Sequence, residues 1–193
     1  MDYTFFGLQI AVKAFFKDDY RQRLAKVIAE SEAEQTLFEK RAFWKRLCAV
    51  VNEGMPVFEL GYWDLIRGGR AQEEFETWCS EIEGALASER EEMGERADEV
   101  NRLSANKDYV LFTAAVLIER DSNSDLTLGE RCEMPESEYF TRSTLARLVA
   151  SFPLLNFANV QADAVYLMPG SEQDGLSQED LVGGGYEYLK PLG

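Results

Sequence analysis

Two patterns alternate along this chain. Continuous apolar runs with little alternation are followed by stretches in which apolar residues recur every three or four positions. The first pattern marks strands covered on both faces, and the second marks helices with one buried stripe. Thr4 to Phe16 is rich in aromatic and β-branched residues and reads mostly as a strand, with a helix as the alternative for so short an apolar run. A helix from about Asp18 to Glu30 follows, with Tyr20, Leu24, Val27 and Ile28 at helical spacing. A second helix, Glu34 to Val51, aligns Leu37, Trp44, Leu47, Cys48 and Val51 on one stripe, and Gly54-Met-Pro56 stops it. Val57 to Ile66 fits a short strand or a turn of helix. A third helix from Ala71 to Arg90 puts Phe75, Trp78, Cys79, Ile82 and Leu86 on one face as core positions, with Glu on the other. From Ser88 the rhythm fades, so 91–107 is expected as a frayed helical extension or a mobile linker.

The last third repeats the pattern. Tyr109 to Ile118 predicts a central strand, and Asp121-Ser-Asn-Ser-Asp125 a turn. Leu126 to Cys132 is expected to return as an edge strand. Ser137 is expected to cap a helix bearing Leu145, Leu148, Val149 and Phe152, which stops before Pro153. Val160 to Met168 predicts another strand. Ser177-Gln-Glu-Asp180 starts a short helix that Gly183-Gly-Gly185 breaks. The sum is a single α+β domain spanning residues 1–193, a small, mostly antiparallel sheet covered by several amphipathic helices.

Composition narrows the chemistry. The chain has 193 residues, of which 46% are hydrophobic, enough for a packed core. Its formal net charge of -15 repels phosphate backbones and excludes general nucleic-acid binding. There is no histidine, which removes Ser-His-Asp and Cys-His catalysis and His-ligated metals. Cys48, Cys79 and Cys132 show no Cys-x-x-Cys spacing and read as free thiols in a reducing compartment. No apolar run reaches the roughly 18 residues of a membrane span, so a cytoplasmic protein is expected.

Candidate sites fail on inspection. Asp121-x-Asn123-x-Asp125 resembles the opening of a calcium loop, but Leu126 stands where Gly is required and Cys132 where a bidentate Glu is required. Gly183-Gly-Gly185 lacks the Lys-Ser/Thr of a phosphate loop. Glu73, Glu76, Glu83 and Glu89 form the solvated face of the third helix rather than a convergent acid–base pair. Trp44, Trp63 and Trp78 fit core positions better than a stacking platform.

One resemblance remains. Tyr109-Val-Leu-Phe-Thr-Ala-Ala-Val-Leu-Ile118, Leu145-Ala-Arg-Leu-Val149, Ala162-Asp-Ala-Val-Tyr-Leu-Met-Pro169, Asp174-Gly-Leu-Ser-Gln-Glu-Asp-Leu181 and Tyr188-Leu-Lys-Pro-Leu192 resemble, in order and character, the closing half of the domain-of-unknown-function 1517 family. Leu167-Met168 departs from the aromatic that members tend to carry before Pro, and Gly183-Gly-Gly185 departs from a more regular helix end. The family has no assigned activity or catalytic residues, so the resemblance transfers no function; the residues themselves offer no nucleophile–base constellation, and no cofactor is expected. The leading expectation is therefore a non-catalytic protein acting through a protein partner or self-association. The alternative is a small-molecule or metal-binding module with a pocket between sheet and helices, and a carboxylate-dependent hydrolase ranks last.

Overall fold

The computed structural model describes residues 2–14, 19–33, 36–95, 107–170 and 175–193. A five-stranded antiparallel sheet lies between two layers of helix, with strands in the order β4-β3-β1-β2-β5. The strands are β1 (Tyr3–Lys13), β2 (Phe58–Arg67), β3 (Tyr109–Glu119), β4 (Val160–Met168) and β5 (Lys190–Pro191). The helices are α1 (Tyr20–Ala29), α2 (Leu37–Glu53), α3 (Ala71–Glu95), α4 (Asn123–Cys132), α5 (Arg142–Val149) and α6 (Gln178–Gly183). An α+β architecture of this kind is what the alternating patterns predict.

β1 and β3 pair along their whole lengths, from Tyr3 opposite Glu119 to Lys13 opposite Tyr109. Thr4 to Val12 and Val110 to Ile118 are buried throughout. This explains the missing alternation, since residues of both parities face protein. Phe6, Leu8, Ile10, Val12, Phe112 and Val116 point to one side, where α1, α2, α4 and α5 supply Leu24, Trp44, Leu47, Leu128 and Leu145, and the 3₁₀ turn after α5 supplies Phe152. Trp44 stacks on Phe152 with centroids 4.5 Å apart, and its indole Nε1 donates to Asp163 Oδ2 at 3.0 Å. Thr36 and Glu39 form a capping box that fixes where α2 begins.

The opposite face is covered differently. α3 crosses it alone, and the chain from α6 to β5 fills the remaining side. Ile82 is buried, whereas Phe75, Trp78, Cys79 and Leu86 are only half-buried. The stripe on α3 therefore lies against the sheet as expected but is not a closed core. Gly7 of β1 explains how close α3 comes, because a Cβ there would sit 2.7 Å from Trp78 Cζ3.

Two expectations are corrected. Leu126 to Cys132 is not an edge strand but most of α4. Ser122 accepts the Asp125 amide as its cap, and the helix buries Leu128 and Cys132, four residues apart, while Leu126 stays 57% exposed. Ser137 caps no helix. It lies in a single 3₁₀ turn, and α5 starts later at Thr141, whose Oγ1 accepts from the Thr144 amide. The Val57–Ile66 segment resolves as strand β2. Helix α3 runs on to Glu95, and the rest of the 91–107 expectation, residues 96–106, lies outside the described residues.

These assignments separate Trp44 from Leu126. Trp44→Ala should cost about 3–5 kcal/mol in denaturant unfolding, through a cavity and an orphaned Asp163 acceptor. Leu126→Ala should stay within about 0.5 kcal/mol, as expected on an exposed helix face and not in a paired strand.

Candidate functional site

Between α3, the sheet and the chain after α6 lies a cavity of about 370 Å³. Each wall traces to a local sequence cause. Its floor is Gln9, a 4% exposed amide in an otherwise apolar strand, across from Thr113 of β3. Gln9 Nε2 donates to Thr113 Oγ1 at 3.2 Å, so neither polar group is stranded among apolar neighbours. β2 contributes Tyr62, which pairs with Gln9 in register and so points to the same face. α3 contributes Trp78, Glu81 and Ile82. Trp78 is held edge-on against Phe5 at 5.1 Å, and its Nε1 donates to Glu74 Oε1.

The last wall depends on the Gly-rich turn. Ser177 and Asp180 close a capping box that starts α6. Gly184 and Gly185 then reverse the chain, and Gly185 sits at φ 92°, a conformation that disfavours a side chain. Tyr186 and Tyr188 follow over the cavity, and β5 ties the segment down beside Leu60 and Gly61. Tyr188 donates its hydroxyl hydrogen to Gln9 Oε1 at 2.6 Å. The Tyr62 ring meets Tyr188 edge-on at 5.6 Å and lies 6.1 Å from Trp78.

The field in the cavity is negative. Among the described residues, Glu81 is the one charged group in its lining, and no Lys or Arg lines it. Burial pushes the Tyr188 hydroxyl up to about 12, and the nearby Glu81 charge adds to the shift. Burial also raises Tyr62, with the Asp64 and Glu74 carboxylates contributing. Both phenols therefore stay protonated at neutral pH and can donate hydrogen bonds or present ring faces.

The residues weighed in the sequence are dispersed. Asp125 is buried and already satisfied. It accepts from Thr4 Oγ1 at 3.1 Å, Arg67 Nε at 2.9 Å and the Asp121 amide at 2.9 Å. Burial alone would raise its carboxyl, but the Asp121 amide, Arg67 and Thr4 together hold it below the usual value. Asp121 turns the chain at φ 60° and Asn123 opens α4, so the triplet is a turn and a helix start.

Glu73 and Glu76 are exposed, and Glu83 accepts from the Tyr166 hydroxyl at 2.8 Å away from the cavity lining. Glu89 has no described side chain. Trp44 is core and Trp63 is half-buried, while Trp78 is a cavity wall. Cys48 and Cys132 are buried thiols whose acidity burial suppresses, and Cys79 is half-buried.

Among the described residues no group of three or more Cys, Asp or Glu is placed to hold a metal ion, and no helix is long and apolar enough to cross a membrane. Sequence reasoning missed Gln9, Tyr62, Tyr186 and Tyr188. Gln9 alone carried a signal, as an amide inside an apolar run. No family model matches this chain, and neither a curated protein nor a solved structure matches it.

The Asp125 knot has a direct test. Asp125→Ala should cost about 2–4 kcal/mol by losing bonds to a charged acceptor. Because the fold strengthens Asp125 as an acid, its carboxylate contributes stability that is fully present above the ordinary value of about 3.8 and lost as pH falls below it, and the variant should lack this acid-side loss. Millimolar calcium should leave the melting temperature of the parent unchanged, because each Asp125 oxygen is already engaged.

Proposed function

We propose that this chain is a non-catalytic small-molecule-binding module whose ligand occupies the cavity over Gln9. The observation that carries the reading is the layered construction of the site. A buried amide–hydroxyl pair lies on the floor, aromatic side chains from β2, α3 and the chain after α6 form the walls, and a cavity of about 370 Å³ lies between them. That volume falls in the range of small-ligand pockets, which are mostly apolar with a few convergent polar groups.

The residue types favour binding over turnover. The ionisable lining groups are Glu81 and three tyrosines, and burial weakens Tyr62 and Tyr188 as acids. A nucleophile and its base within hydrogen-bond reach do not occur among these residues.

A second reading, association with a protein partner or a second copy, is favoured by one patch. Phe38 is 83% exposed, Leu37 56% and Leu154 48%, and the three line a shallow groove of about 330 Å³. Phe38→Ser should abolish any concentration-dependent rise in sedimentation coefficient if this patch mediates association. A coefficient that is constant with concentration in the parent would remove this second reading.

The binding reading is tested by thermal-shift screening with compact amphipathic molecules. A ligand at about 100 times its Kd should stabilise the fold by about 2.7 kcal/mol, a rise of roughly 5–11 °C. Ala85 lines the cavity from α3, so Ala85→Trp should fill it and remove the shift while the protein stays folded. Hits that survive Ala85→Trp, or a library that yields none, would defeat the proposal.

A further inference from the structure

We infer that the cavity over Gln9 selects a cationic amine of the quaternary or methylated ammonium class over a neutral molecule of the same shape. This inference rests on the small-molecule reading above and names its ligand class. Aromatic faces carry a negative quadrupole that attracts an ammonium within about 6 Å of the ring centroid. Tyr62 packs against Tyr188 at 5.6 Å and Trp78 at 6.1 Å, so the three rings form one continuous aromatic lining beside the cavity. Tyr186 completes the wall. A cation placed there lies near more than one ring at once.

Charge points the same way. Glu81 lines the cavity with no Lys or Arg beside it among the described residues, and Asp64 and Glu74 act on the Tyr62 hydroxyl. An anion would meet this field unfavourably, and a neutral ligand would gain nothing from it. The floor gives a third argument. Gln9 donates to Thr113 and accepts from Tyr188, so two of its polar capacities are filled inside the protein. A ligand with no hydrogen-bonding hydrogen, such as a quaternary ammonium, leaves those bonds intact. Methyl groups on the nitrogen also match the apolar lining of Ile82, Ala85 and Met168.

The test is a pair of NMR titrations of the full chain, one with choline and one with its neutral isostere 3,3-dimethylbutan-1-ol. Choline should bind at least about tenfold more tightly, the scale expected of cation–aromatic attraction. Glu81→Gln, at an exposed position, should weaken choline roughly three- to tenfold and leave the alcohol unchanged. Ala85→Trp should abolish choline binding, which separates the cavity from adventitious attraction to an acidic surface. Equal affinity for the two probes, both lost in Ala85→Trp, would overturn cation selection and leave the small-molecule reading standing. So would neutral library hits removed by Ala85→Trp when choline does not bind. Choline binding that persists in Ala85→Trp would overturn the inference outright.

Discussion

The pairing of β1 with β3 is the constraint on which the rest depends. Eleven residue pairs align without a break, and nearly all of both strands is removed from water. A strand pair buried on both faces must be covered twice, and the chain does this with unequal layers. One side receives α1, α2, α4 and α5 and closes into a single large cluster. The other receives α3 and the chain after α6, and its apolar contacts divide into two smaller clusters.

That inequality creates the cavity. A lone helix covers only a stripe of the sheet beneath it, so the remainder of the face must be filled by large side chains reaching sideways. Gly7 lets Trp78 settle close to β1, while Tyr62 and the two tyrosines after α6 approach from the other edge. Tyr62 packs against both Tyr188 and Trp78, and the rings leave space beside them over Gln9. The polar pair on the floor is affordable because Gln9, Thr113 and Tyr188 satisfy one another. Removing any one of them would leave a partner unpaired in a poorly solvated place.

Much of the scaffold was legible in the sequence because it follows from burial. β1, β3 and β4 announced themselves as apolar runs, and α1, α2 and α3 as helical stripes. Ser177 marked the start of α6 through its capping chemistry. α4 was misread because Leu126-Thr-Leu128 alternates like a strand. What decided the matter was the local capping by Ser122 together with the long-range anchoring of Asp125 by Thr4 and Arg67. Ser137 and Thr141 are chemically similar residues a few positions apart, but only Thr141 accepts the amide that starts α5, while Ser137 lies in a 3₁₀ turn. The cavity was not legible, since Gln9, Tyr62, Trp78 and Tyr188 come together only through strand register and the return of the chain to β5. Nothing about their spacing in sequence signals that meeting.

The Gln9–Thr113 pair serves the cavity floor and not the stability of the sheet. Urea unfolding of the double variant Gln9→Met/Thr113→Val tests it most directly, because both partners of the bond are replaced by apolar groups of similar shape. The Tyr188 hydroxyl, on a residue 38% exposed, can turn to water. The double variant should lie within about 0.5–1 kcal/mol of the parent, or above it, since removing both halves of a buried polar pair is nearly neutral. A loss of about 2 kcal/mol or more would contradict it and assign the pair to holding the sheet together.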